Sequence, residues 1–512
     1  MAESRIKKTI RNSGVGFLTH AFTLVISFVS RTLFIKILGA QYLGVSGLYT
    51  NILSVLALSD LGLYTVMTFS LYKPIAEHDE TKIAALIRYY KKLYYYIALT
   101  VLAVGLSFIP LLPVLINNSA LPQDELVLYY VLLLMNSVCS YFAISKSTLI
   151  RADQNAYIIQ LVSTASTFLM HVGQIVMLVI THNYAFYLAV QILFTLANNF
   201  VLSFITMRKY PYLRQSSTIE VSVEVKRNLL SNLKNTFLYK LGATIINSTD
   251  NILISVILGT VIVGYYNNYY TIVMMVNALI SIVIQAVLAS IGNFNATENN
   301  EKKFSLFRQM VLFFYMVAAF CAACYLCVFD DFIEIWIGDE YVLGRAFVCV
   351  FVLKIFIQCT DNPLWMFRES SGTFYSTRYV MLIAAFFNVV LSVILGKAWG
   401  LCGIILATAI SYLITLWWYE PLQLCKNVFF VDVSAYWQYV AKLLLCCVPV
   451  VAAGFALQQW IVHSIVLVLV KIAICGSVTA VVFGGILWRS EEFLLFRQIA
   501  FKLCGKLCRD KG

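Results

Sequence analysis

The chain has 512 residues, 61% of them hydrophobic and 12% charged, a balance that calls for lipid as the main solvent and excludes a water-soluble core. Its net charge of +12 would suggest nucleic acid in a soluble protein. Here most of the 37 lysines and arginines sit in the short segments between apolar stretches, where basic residues report topology rather than a nucleic-acid partner.

Fourteen apolar stretches are long enough to cross a hydrocarbon core of about 30 Å. They lie near 14–36, 43–71, 93–116, 125–148, 157–181, 185–207, 237–258, 264–292, 309–329, 345–368, 378–397, 399–419, 437–458 and 462–487. The first follows a basic start, Arg5, Lys7, Lys8 and Arg11, without a small-residue cleavage site, so it reads as an uncleaved helix. Along it Ser13, Gly16, His20, Thr23, Ser27, Ser30 and Arg31 advance by about a helical turn. Polar groups in lipid need partners or water, so such a stripe marks the face turned inward.

Just after it, residues 37–44 read ILGAQYLG, and residues 257–264 read ILGTVIVG, 220 positions later. Repeated halves imply two pseudo-symmetric lobes that can rock about a central site. Adding 220 sends His20 to Lys240, Ser27 to Asn247, Ser30 to Asp250 and Arg31 to Asn251, so polarity is kept at equivalent depth while identity is not. The second stretch carries Asp60, the fifth Gln160, Ser163, Thr167, His171 and Gln174, the eighth Asn277, Ser281 and Gln285, and the tenth Lys354, Gln358, Asp361, Trp365, Arg368 and Glu369. Cys321, Cys324 and Cys327 recur every third residue in the ninth and read as small packing groups rather than metal ligands. The ninth, thirteenth and fourteenth stretches are mostly apolar and are expected at the periphery, with Lys471 an exception that has no role from sequence.

The expected organisation is all-α and polytopic: an N-terminal six-helix lobe (1–207), a linker (208–236), a C-terminal six-helix lobe (237–419), two further helices (437–487) and a basic tail (488–512). Basic segments at the start, at 73–92, at 208–234 and in the tail, set against the acidic 330–340 loop, place both termini in the cytoplasm. An intramembrane charge costs roughly 2.5–3.5 kcal/mol, so Arg31, Asp60, Lys240, Asp250, Lys354 and Asp361 either line a cavity or form fixed ion pairs. His20, Arg31, Lys240, Asn247, Asn251, Asn277, Gln285, Lys354 and Gln358 are cavity candidates. Asp60, His171, Asp250 and Asp361 are candidates for ion coupling or for structural pairing. No nucleophile–base pairing, metal set or cofactor motif is visible, so an enzyme is not expected.

The segments SRTLFIKILGAQYLGVSGLYTNILSVLALSDLGL at 30–63 and SLYKPIAEHD at 70–79 resemble the opening of bacterial polysaccharide transporters of the Wzx type. A second patch at 368–411, with Gly372, Asn388, Gly400, Gly403 and Thr408, resembles the tenth to twelfth helices of that family. The resemblance implies two six-helix lobes in a V, as in the multidrug antiporters and the peptidoglycan-precursor flippase. It also implies flipping of undecaprenyl-diphosphate-linked oligosaccharide across the bacterial cytoplasmic membrane, driven by a proton or sodium gradient or the membrane potential, beside the polysaccharide polymerase machinery. Arg31 is the only arginine in helices one, two, seven and eight, a departure from the precursor flippase and its cluster of cavity arginines. An ion-coupled multidrug antiporter of the same superfamily is the alternative, and a membrane polymerase or ligase of the pathway is the rival from another class.

Overall fold

A computed structural model describes residues 2–56, 63–116, 121–214, 221, 223–297, 299–371, 374–460, 463–488 and 490, and no strand occurs among them. Asp60 lies outside the described residues, as do the side chains of His20 and Gln285. Two compact units, 1–271 and 272–512, divide the chain.

In the first unit, α1 (Ala2–Leu38) and α2 (Ala40–Leu56) are separated by Gly39 alone, and α10 (Val223–Leu258) and α11 (Thr260–Thr297) by Gly259 alone. The connections expected across 37–42 and 259–263 are therefore one residue long. Gly39 and Gly259 take φ of 82° and 99°, a left-handed conformation that glycine adopts without steric cost, so the chain redirects with no loop. Between these pairs run α3 (Leu63–Ala76), α4 (Glu80–Ser107), the single turn α5 (Leu112–Leu115), α6 (Gln123–Ser140), α7 (Ile144–Ala152), α8 (Ala156–Thr181) and α9 (Tyr184–Lys209). Helix α1 packs on α8, α8 on α9, and α2 on α10. Buried tyrosines tie these helices through backbone carbonyls: Tyr49 donates to Leu126 O and Tyr130 to Gly105 O, both at 2.9 Å.

The two repeated phrases meet each other. A Cβ on Gly44 would collide with the carbonyl of Thr260, and a Cβ on Gly264 would collide with the carbonyl of Ala40. Because 260 and 264 are 40 and 44 displaced by 220, the contact is reciprocal, as in a two-fold interface between copies. Small residues four apart let the helix backbones touch, the geometry that drives helix association in lipid.

The second unit contains the remainder of α11, α12 (Asn300–Ile337), α13 (Arg345–Thr360), α14 (Asn362–Ser371), α15 (Phe374–Ile414), α16 (Leu416–Leu424), α17 (Val433–Gln458) and α18 (Ile465–Leu487). Its centre is α12, the ninth apolar stretch, which was expected at the periphery. Two thirds of its most apolar window is buried, and it packs against α13, α17 and α18. Phe307 stacks with Phe429 and Tyr436 at its start, and Ala323 backbone fills the space that Gly454 leaves open. Lys471 of α18 finds its role here: its ammonium donates to Asp331 at 2.6 Å and to Cys327 O at 2.9 Å. Cys321, Cys324 and Cys327 are free and buried, with Cys327 Sγ 3.6 Å from Cys475 Sγ; no metal-holding group occurs among the described residues.

Helix α15 is broken at Trp399 and Gly400, so the eleventh and twelfth stretches form a hairpin. A Cβ on Gly403 would collide with the Leu395 carbonyl, and buried Asn388 donates to Thr408 Oγ1 at 2.9 Å. Eleven helices among the described residues qualify as membrane spans, one of them the 51-residue Tyr379–Phe429 that contains this break. The protein is a multi-pass, all-helical membrane protein; fourteen spans stays the expectation from sequence.

Candidate functional site

Polar residues of α1, α10 and α11 meet beside the seam between the repeat phrases. Gly47 lacks the side chain that would occupy the position of the Asn267 amide, and 267 is the repeat-mate of 47. The second copy thus places an asparagine in the gap left by the first copy's glycine. Arg31, on α1, reaches across with Nη2, donating to Asn267 O at 2.9 Å and Asn268 Oδ1 at 3.3 Å. Asn251, the repeat-mate of Arg31, donates to Asn267 Oδ1 at 3.2 Å. Asn251, Asn267 and Asn268 are buried. Among the described residues no carboxylate lies within ion-pair distance of Arg31, and its Nε has no partner. A partly buried guanidinium held only by neutral acceptors keeps its charge uncompensated, in surroundings where Coulomb interactions are stronger than in water.

An aromatic wall stands beside this node. Phe34, one helical turn past Arg31, contacts Tyr184 and Tyr187 with ring centroids 5.5 and 5.1 Å away, and Tyr184 contacts Tyr129 and Tyr42 at 4.9 and 5.8 Å. Such edge contacts fix ring orientation. His171 of α8 is held one turn from Arg31, with Nε2 3.2 Å from Ser27 Oγ. Asp250 is buried, Lys240 is partly buried, and Asn247 is exposed on α10. The positions 240, 247 and 251 fall on one helical face.

The second unit carries a separate charged nest. Arg368 of α14 and Glu420 of α16 form an ion pair with both side chains almost fully buried. Asp361, which closes α13, lies within electrostatic reach of both, and Tyr412 within reach of these and of buried Lys354. Gln358 is partly buried one turn after Lys354, and Asn277 of α11 is exposed. Of the thirteen candidates, then, Arg31 and Asn251 are bonded to one asparagine, and His171 adjoins them. Lys354 and Asp361 share the second nest.

Three contributors had not been singled out from sequence: Asn267, Asn268 and Glu420. The first two were signalled by YYNNYY at 265–270, adjacent amides in an apolar helix whose repeat-mates are Gly47 and Leu48. Glu420 had the simpler mark of an acid inside an aromatic segment, LWWYEPL.

Comparison with known proteins follows this architecture. The family model "Polysaccharide biosynthesis protein" matches residues 33–343, more than half of the chain. No curated protein matches. Among solved structures, the lipid II flippase MurJ in an inward-closed conformation superposes with a TM-score of 0.68 at 12% identity, covering 92% of this chain and 98% of its own. An inward-facing multidrug transporter of the MATE family within the MOP superfamily gives 0.60 at 13% identity, covering 78% and 95%. A MOP superfamily transporter from Pyrococcus furiosus, described as having a binding pocket of reversed polarity, gives 0.56 at 15% identity, covering 80% and 93%. At these identities the likeness is one of fold, and the fold is that of MOP superfamily transporters and flippases. By the family match, the chain belongs to the polysaccharide biosynthesis protein family.

Proposed function

We propose that the protein flips a polyprenyl-diphosphate-linked oligosaccharide across the cytoplasmic membrane, by alternating access of two lobes corresponding to 1–207 and 237–419. The observation that carries this reading is Arg31, a partly buried guanidinium whose hydrogen-bond partners among the described residues are all neutral. An uncompensated positive charge in the membrane suits an anionic head group, because charge-assisted contacts to phosphate are roughly twice as strong as neutral ones. It disfavours the cationic compounds that a drug antiporter would carry. The neighbouring amides add donors for sugar hydroxyls, and the hydrocarbon tail stays in lipid. Asp60, Asp250, Asp361 and His171 are the candidates for coupling to a proton or sodium gradient.

The experiment is flipping of a fluorescent lipid-linked oligosaccharide in proteoliposomes. Loss of a hydrogen bond to a charged group corresponds to about tenfold or more, so Arg31→Gln should slow flipping by about that factor while Arg31→Lys retains a larger share. Normal flipping by a poorly abundant Arg31→Gln protein would make the arginine structural instead. Export of a cationic dye, with no flipping, would favour the antiporter.

The membrane orientation is part of the proposal. Single cysteines placed in 208–236 and in the 488–512 tail should react with an impermeant maleimide only after the cytoplasmic face is opened, whereas a cysteine at 339–344 should react in intact cells. Labelling of the tail from outside would overturn the fourteen-span arrangement.

A further inference from the structure

The first unit holds a second cationic group, away from Arg31, that has no assigned role. Arg88, Lys91 and Lys92 fall on one face of α4 and are exposed. Lys146 of α7 is only partly exposed and lies within electrostatic reach of Lys91, where α4 and α7 pack together. Two ammonium groups so close repel each other, and repulsion grows as water is excluded. Among the described residues no carboxylate pairs with Lys91, Lys92 or Lys146, and the acids at the ends of α3, α4 and α7 have partners of their own. Glu77 pairs with Lys73 at 3.8 Å. Asp153 accepts from Tyr210 and Asn155 and pairs with Lys209. Asp79 caps α4, and the backbone N–H of Lys82 and the Thr81 hydroxyl hold its carboxyl below the ordinary range.

Depth adds to the argument. Lys91 lies eleven residues into α4, about 17 Å from the start of that helix at 1.5 Å per residue, and Lys146 lies about 9 Å from the end of α7. Directly beyond Lys92 the α4 surface presents Tyr95, Tyr96 and Leu99, all exposed. Amphipathic rings followed by aliphatic side chains mark the passage from head-group level into hydrocarbon. An anion with an apolar tail would match both the lysines and this surface.

We propose that Lys91, Lys92 and Lys146 form a docking site for the diphosphate of a polyprenyl lipid in the membrane, its tail lying along Tyr95, Tyr96 and Leu99. Three ammonium groups without a counter-ion complement an anion with more than one negative charge better than the single charge of a phosphodiester. The site would hold the lipid before it enters the transport path, and in this respect it rests on the flippase reading.

The test is binding of undecaprenyl diphosphate to the full-length protein in phosphatidylcholine nanodiscs, titrated by native mass spectrometry, with phosphatidylglycerol titrated in parallel. A lysine near an anionic head group contributes roughly fivefold to affinity, so Lys91→Gln/Lys92→Gln should weaken diphosphate binding by about thirtyfold. Both residues are exposed, so the variant keeps its fold, and Lys146→Arg should bind like the parent. Unchanged binding by the double variant overturns the site, and equal affinity for phosphatidylglycerol overturns its assignment to a diphosphate. Lysine-dependent binding by a protein that flips nothing would retain the site and remove the flippase, whereas normal flipping with lysine-independent binding would do the reverse.

Discussion

Gly264→Ala should destabilise the protein severely, although it adds a single methyl group. The new Cβ would overlap the backbone carbonyl of Ala40 across the seam, and backbone cannot rotate away as a side-chain tip can. Overpacking a close contact costs about 1–3 kcal/mol where side chains yield, and here the helices themselves must part, so the upper end of that range or more is expected. Gly44→Ala should be similar, because it meets the Thr260 carbonyl in the mirrored position. Gly485→Ala is the control: a Cβ there meets nothing within 4 Å, and exchanging glycine for alanine inside a helix is worth up to about 1 kcal/mol in its favour. Melting curves of detergent-purified variants should thus separate two chemically identical substitutions. Equal melting temperatures for Gly264→Ala and Gly485→Ala would mean that the repeat phrases do not form a tight seam.

The repeat behind that seam was legible in the amino-acid sequence. Two copies of one phrase announced a pseudo-symmetric pair, while the helix breaks at Gly39 and Gly259 and the contact of the copies with each other came from the structure. What a repeat cannot disclose is how a pseudo-symmetric pair becomes asymmetric. Asn267 fills the gap at Gly47, and Arg31 then reaches that asparagine's carbonyl; both contacts depend on crossing geometry, which periodicity does not encode. Polar stripes marked the inward faces of α1, α8 and α10 because polar groups avoid lipid. Their pairing, Ser27 with His171 or Arg31 with α11, lay outside that signal.

Helix α12 shows the opposite weakness. Its stretch from 310 to 329 carries no charged residue, and in a bilayer an apolar face is equally satisfied by lipid and by another helix. Hydropathy accordingly carried no indication that α12 is the centre of the second unit. Its small residues did, in retrospect: Ala318, Ala319, Cys321, Ala322, Ala323, Cys324 and Cys327 are all buried, and so compact a surface invites close neighbours. Lys471 was unreadable for a related reason, since its partner Asp331 belonged to a segment that charge alone had assigned to an external loop.

Removing one member of the Arg368–Glu420 pair should produce the other large effect, with a definite order among variants. Both side chains are almost fully buried, and breaking a buried pair costs about 3–5 kcal/mol because a charge is left without compensation. The two halves of the pair are not equivalent here, since Asp361 is within electrostatic reach of both. In Glu420→Leu, Arg368 still has Asp361 nearby, so part of its charge is balanced. In Arg368→Met, Glu420 and Asp361 remain as two carboxylates with their shared cation gone, and like charges at short range in a poorly solvated site repel strongly. Arg368→Met should therefore be the less stable of the two, and Glu420→Gln, which keeps an oxygen to accept from the guanidinium, the most stable single variant. Because replacing both members of a buried pair by apolar groups is often close to neutral, Arg368→Met/Glu420→Leu should recover much of the loss seen in Arg368→Met. Thermal stability in a double-mutant cycle measures each of these differences. If Arg368→Met proved as stable as Glu420→Leu, Asp361 would not share the cation, and the nest would reduce to an isolated ion pair with Asp361 satisfied by other groups.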